Sequence, residues 1–413
     1  MSPGGERYFT HPSSSEADES TFPVYRDGDV KIVITGSRQY HLHSTTLKHY
    51  SSTFRALLSD ENAAPLDKKA IKKGRIIRYR LDAVDNSQRD VEPDLDLETV
   101  LQPVKLGPDG KAPYDKQISL DLENGLIVAR IFDAYDAILG AIYGQKIELG
   151  DEEDTLGDKA RAAALYLRVA DYLDVLNVVQ KPIEADLLAC GQLLYSTIVK
   201  EPEVWLSFAF RLKSRSIFRE ALIHAAGQFN RQGVQDILPK LDVRVAAILQ
   251  KKAAALKESV KLSQLHLLSY YPPQFQRDLG VGYADIDKIG KNSYSNDIFG
   301  WMALDMFRMW IAQNCASDYT HHAQDMGYEF MRRVSQGGPA YLAKPDLEGW
   351  YQKFPMTDKG KQVVERWLDQ IKEHVKPMAS RFLENASQYE YRKVQAEFFS
   401  CTKVGFNDYE FIQ

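Results

Sequence analysis

The sequence predicts an α+β protein: a small sheet with short helices in the N-terminal half, then an all-α C-terminal region. Three observations carry this. Asp29-Val30-Lys31-Ile32-Val33-Ile34 alternates apolar and polar residues, as a strand with one buried face does, and Gly36 breaks it. Gln117-Ile118-Ser119-Leu120-Asp121-Leu122 alternates in the same way. From Pro182 onward the apolar residues recur at helical spacing and no further alternating run appears.

Length and composition bound the rest. A chain of 413 residues exceeds what one domain usually holds, so two or three units are expected. The hydrophobic share of 44% and charged share of 26% are those of a globular protein. A net charge of −5 argues against a dedicated nucleic-acid binder, which needs a basic face. The first 22 residues hold no apolar run, so no secretory leader is expected. The longest uncharged apolar stretch, Leu187 to Val199, is shorter than the roughly 20 residues a membrane helix needs. Cys190, Cys315 and Cys401 are scattered and form neither a disulfide framework nor a zinc-ligand pair. The expectation is a cytoplasmic or nuclear protein, with no cofactor and no membrane or nucleic-acid partner.

Residues 1–22 read as a disordered tail, with nothing to bury around Ser13-Ser14-Ser15-Glu16. The first domain is expected over residues 23–180. After the first strand, Tyr40, His43, Leu47, Ser51 and Phe54 follow at intervals of three, four, four and three. Leu47, Ser51 and Phe54 would thus share one side of a helical stretch. Ile127, Ile131, Tyr135, Ile138, Leu139 and Ile142 form the stripe of a longer helix that Gly144 stops. A second helix carries Leu165, Val169, Tyr172, Leu173 and Leu176. Residues 60–116 interrupt the domain as an insertion separated into charge blocks. Lys68 through Arg80 holds seven basic and no acidic residues, and Asp82 through Glu98 holds seven acidic and one basic. Ile76 to Leu81 could join the sheet as a strand, while Pro93, Pro103, Pro108 and Pro113 argue for loop elsewhere.

Residues 181–413 read as helix after helix, in one or two subdomains. Ala185 to Val199 suits a buried helix, and Trp205 to Phe229 has mixed faces. Asp242 to Leu268 is long and amphipathic. Ile298 to Ile311 is apolar all round the wheel, as a central core helix would be. Val363, Val364, Trp367, Leu368 and Ile371 make a last stripe, expected to end before Pro377.

The strand Asp29–Ile34 with Tyr40, His43, Leu47, Ser51 and Phe54 resembles the BTB/POZ domain, in which an aromatic stands three before a His, Leu four after it, and Ser-x-x-Phe follows. Ile142-Tyr143-Gly144 and Ala170-Asp171-Tyr172 fit the same family's later helices. The resemblance covers roughly residues 24–180 and implies a protein–protein interaction scaffold that does no chemistry, joined to a helical C-terminal region as in stand-alone fungal members. Within the family it implies a substrate adaptor for a cullin-class ubiquitin ligase, with Leu58, Ser59 and Asp60 as the partner-binding element. The alternative branch is a transcription-associated corepressor-type protein. There Asp29 would need a basic partner at the position that Ser44 occupies. His43 is expected to pack at the strand–helix junction, with pH sensing as the rival role. Residues 1–23 lack the amphipathic stripe of a swapped dimer.

No phosphate-binding loop, Gly-x-Ser-x-Gly elbow or His-Glu-x-x-His occurs, so no catalytic residue is nominated. An enzyme hidden in the helical half is the rival from another class. His321-His322 reads as a polar helix end or loop rather than a metal site, and Cys315 as a small core residue. Tyr270-Tyr271-Pro272-Pro273 reads as a helix-terminating turn, with a proline-motif ligand as the alternative. Lys68, Lys69, Lys72, Lys73 and Arg75 read as a solvated loop, with a nuclear import signal as the alternative.

Overall fold

Strand β1 (Val30–Val33) pairs antiparallel with β2 (Gln39–Leu42) and parallel with β3 (Tyr79–Asp85). β3 pairs antiparallel with β4 (Thr99–Pro103), which completes a sheet of order β2-β1-β3-β4. The protein is thus α+β, with a small N-terminal sheet and an all-helical C-terminal region. The computed structural model describes residues 24–34, 38–85, 99–113, 130–150, 154–275, 298–321, 324–391 and 396–412. The tail, Gly36, the strand expected at 117–122, Ile127, His322 and the acidic residues from 86 to 98 lie outside them. By contacts the chain divides into two compact units, residues 1–194 and 195–413.

In the first unit, Val30, Ile32 and Leu42 are fully buried, so β1 is a core strand. The strand expected within Ile76 to Leu81 does join the sheet, as β3 from Tyr79 onward, but the reading of residues 60–116 as an insertion needs correcting. Two of the four strands come from this stretch, and β3 stands inside the sheet rather than on it. Its pairing satisfies the second edge of β1, and Leu81, Ala83 and Leu101 bury their side chains there. β4 runs into Pro103, which faces Leu81 on the edge strand, and Val104 N then donates to Arg80 O at 2.9 Å. The stretch therefore belongs to the core, and excising it would leave β1 with a bare edge.

Helices α1 (Ser44–Tyr50) and α2 (Ser52–Leu57) follow β2, and α3 (Lys68–Lys72) precedes β3. α4 (Arg130–Ile142) buries Phe132, Tyr135, Ile138, Leu139 and Ile142. The chain after Gly144 forms no strand among the described residues, although Ile147 and Leu149 are buried. α5 (Leu156–Tyr172) starts at a capping box in which Thr155 and Asp158 bond reciprocally. Leu176, expected in the same stripe, instead begins α6 (Leu176–Ala189), because Asp174 turns the chain with φ 53°. The run from Ala185 to Val199 is likewise two elements. Gly191, at φ +53°, separates α6 from α7 (Gln192–Lys200).

In the second unit, α8 (Pro202–Leu212) and α9 (Arg215–Gly227) replace the single stretch expected at Trp205–Phe229. Lys213 adopts a left-handed turn, and the Ser214 hydroxyl then caps α9 by accepting from Ile217 N at 3.1 Å. A short α10 (Gln232–Ile237) leads to α11 (Val243–Leu268), which Asp242 caps. Further on lie α12 (Ile298–His321), α13 (Tyr328–Gln336), α14 (Lys344–Lys353) and α15 (Asp358–Ser380). α15 passes through Pro377 instead of ending before it. α12 is not buried all round either: Leu304, Phe307 and Ile311 face the core, while Trp301 and Met309 are 44% and 52% exposed.

After α15 the chain returns across α9. Glu220 and His224, one turn apart on α9, are both buried, and Glu220 Oε1 lies 3.1 Å from His224 Nε2. The Glu220 carboxylate also accepts from Gln388 N, 2.9 Å from each oxygen, and from Tyr389 N at 3.3 Å. A buried carboxylate is tolerated because several donors replace its water.

Candidate functional site

The residues singled out near the N-terminus serve the fold. Tyr40, Leu47, Ser51 and Phe54 are buried. Asp29 caps α1 across the chain: its carboxylate accepts from Ser44 N at 2.7 Å and from Ser44 Oγ at 2.6 Å. Ser44 thus answers Asp29 as a capping partner, where a charged pocket would have required a cation. Ser51 accepts from Phe54 N at 2.9 Å to start α2, and its hydroxyl donates to Leu173 O. His43 lies beside a stacked pair, Tyr25 and Tyr143 at 4.8 Å: its ring is 4.9 Å from that of Tyr25, and the Tyr143 hydroxyl accepts from His43 N at 2.8 Å. Burial pushes the Tyr143 phenol up, and that hydrogen bond opposes the shift.

The expected partner-binding element is divided by burial. Leu58 is fully buried, Ser59 half-buried and Asp60 exposed. Leu58 therefore packs in the core, where no partner can reach it. The basic residues are exposed, but on a short helix and its C-terminal turn rather than on a loop.

The second unit holds a constellation that sequence reasoning missed. α11 ends at Leu268, and Tyr270 to Pro273 turn the chain into a 3-10 turn at Pro273–Phe275. Phe275 is sandwiched between Trp301 of α12 and Trp367 of α15. Its ring lies 5.0 Å from each, tilted by 9° and 23°. Tyr271 meets Trp301 edge-on at 5.7 Å. Gly300 makes the stack possible, since a Cβ there would lie 2.3 Å from Phe275 Cζ and 3.0 Å from Trp367 Cε2. The pairing Gly300-Trp301 was the available signal. Reading the helix as buried all round concealed it.

A second aromatic layer lies deeper. Trp310 stacks on Tyr341 at 4.4 Å and on Phe330 at 5.7 Å, with the Arg333 guanidinium over its face. The Lys372 ammonium is buried above Tyr341 and donates to Gly338 O at 2.8 Å and Leu342 O at 3.2 Å. Burial pulls its pKa down against the pull of Asp369 and Asp346. A cleft of about 260 Å³ opens beside it, lined by Pro339, Leu342, Lys344, Leu347, Glu365 and Lys372. Among the described residues no cluster of His, Cys, Asp and Glu is arranged to hold a metal ion, and no helix is long and apolar enough to cross a membrane.

Comparison with known families places the match here. Residues 272–381, about a quarter of the chain, match the FF domain family in its fungal form. The matched segment runs from Pro272, through the stack and α12 to α15, to the end of α15. No BTB/POZ match accompanies it, and this overturns the resemblance drawn from Asp29 to Phe54 along with the ubiquitin-ligase adaptor role that it implied. The physical reason is visible in the geometry. The matched positions are those that any strand returning into two capped helices needs: an acid and a Ser as caps, and Tyr40, Leu47 and Phe54 as core. No curated protein matches the chain, and no solved structure does.

Proposed function

We propose that the protein acts by binding other proteins, through the helical segment similar to an FF domain, and not by catalysis. One observation carries this reading: the match over residues 272–381, to a family whose domains in general mediate protein interactions. The geometry offers a surface suited to the role. Trp301 covers Phe275 with one face and leaves 44% of itself to solvent, so a rigid, pre-stacked indole stands at the surface of the matched segment. Large aromatics held in place lose little freedom on binding and dominate interface energetics. A cytoplasmic or nuclear site of action belongs to the same proposal and rests on the three scattered free cysteines.

The test is affinity capture with the full chain and with Trp301→Ala, followed by identification of the retained proteins. The proposal expects a reproducible set that Trp301→Ala loses although the variant still unfolds cooperatively, a few degrees lower for want of the Phe275 stack, and that Phe275→Ala, which loosens the same stack but keeps the indole, retains at least in part. An identical set on both chains, or nothing above the bead control, would sink it.

A further inference from the structure

The first unit presents a basic platform that neither the fold nor the proposed function uses. α3 is one helical turn locked at both ends. Asp67 caps it, accepting from Ala70 N at 2.6 Å. At the other end Gly74 takes φ +75°, Gly74 N donates to Ile71 O at 3.0 Å, and Arg75 N donates to Ala70 O at 3.0 Å. This is the Schellman arrangement, which needs a residue without a side chain at Gly74. Ala70 is buried, Asp67 N donates to Pro108 O at 3.0 Å, and Ala64 N donates to Arg78 O at 2.7 Å, so the turn is pinned to the body of the unit.

Lys68, Lys69, Lys72, Lys73 and Arg75 all project from this turn into solvent, and no ion pair among the described residues engages them. Ile71 and Ile76 stand among them, 58% and 40% exposed. Cations alone would suit any polyanion. Two exposed isoleucines among the cations suit only a partner that brings apolar side chains along with its negative charge.

We infer that the α3 platform, Lys68 to Ile76, docks an acidic protein segment carrying apolar side chains. The helix is about 7.5 Å long at 1.5 Å per residue, enough for a short peptide stretch and too little to track a nucleic-acid backbone. A receptor that reads basic residues as an extended chain would have to unwind α3 and break both caps.

Fluorescence anisotropy on the full chain tests this with three probes: a labelled peptide alternating Glu and Asp with Leu, a single-stranded oligonucleotide of equal charge, and phosphatidylserine vesicles. The peptide should bind most tightly and weaken as salt rises. Lys69→Glu/Lys72→Glu should weaken it by about tenfold or more, as reversal of facing charges does. Ile71→Ser should weaken peptide binding several-fold. Since all three positions are exposed, the melting curve of each variant should match that of the parent. Absence of peptide binding overturns the inference, as does peptide binding indifferent to Ile71→Ser. Tighter binding of the oligonucleotide or the vesicles would assign the platform to that class of partner instead.

Discussion

Gly300→Ala is the sharpest probe of the aromatic stack. The new Cβ would sit 2.3 Å from Phe275 Cζ, a separation that real carbon atoms do not adopt, so Phe275 must leave its place between Trp301 and Trp367. Each stacked pair contributes about 0.5–1.5 kcal/mol beyond its buried area, and Phe275 makes two. Against this, Ala in place of Gly favours a helix by up to about 1 kcal/mol, less here because Gly300 lies in the first turn of α12. The expected net loss is about 1–2 kcal/mol, or a melting point lower by several degrees for a unit of this size. Tryptophan emission should shift to the red as both indoles meet water. Repeating the change in a Phe275→Ala background separates the causes, since most of the cost should vanish when the clashing ring is gone. A chain with Gly300→Ala that melts at the parent's temperature with unshifted emission would refute the stack. So would an equal cost in both backgrounds.

Three further outcomes follow from the geometry. Phe54→Ala should cost about 3–5 kcal/mol by chemical denaturation, because Phe54 is fully buried where α2 meets the core; an unchanged midpoint would contradict that burial. Glu220→Ala should cost about 3 kcal/mol by depriving the Gln388 and Tyr389 amides of their buried acceptor. Hydrogen exchange should then speed up at those two amides, and unchanged protection would place their hold elsewhere. Asp158 tests pH dependence. Hydrogen bonds from Thr155 and Arg161 hold its folded pKa down at about 2, below the ordinary carboxylate value. Its stabilisation is therefore present above about pH 4 and fades as pH falls through 2. Since the site is solvent-exposed, the effect is that of a surface cap, about 1 kcal/mol. The stability difference between the parent and Asp158→Asn should shrink over that range, and a difference that is flat with pH would remove Asp158 from the cap.

Local order was legible wherever one element decides its own structure. The stripe of α4, the extent of α11, and the shared burial of Leu47, Ser51 and Phe54 all follow from spacing. So does the role of Cys315, which is buried as its apolar surroundings implied. Breaks between helices were less visible, because Lys213 and Asp174 turn the chain at positive φ without being glycine. Pro377 misled in the opposite sense. It signals an end, yet α15 continues through it, packed along its length by Val364, Leu368, Ile371 and Val375, which are buried around it. The family resemblance failed for a related reason. Caps and core positions record what a strand–helix junction requires physically, and such a pattern is weaker as a mark of descent.

What the sequence determined by itself was the division of labour along the chain: a sheet early, helices after it, charge concentrated before β3, and three dispersed thiols. Those properties depend on near neighbours, through periodicity and composition. The sequence offered Ile76 to Leu81 as a strand; the tertiary structure alone decided that β3 takes an inner place and that β4 follows it as the edge, because pairing depends on which edge of β1 is vacant. It alone seated Phe275 between two tryptophans, each on a different helix, across a gap that only Gly300 leaves open. And it alone turned Lys68 to Arg75 from a run of charge into a fixed platform, because Asp67 and Gly74 lock the turn that displays them.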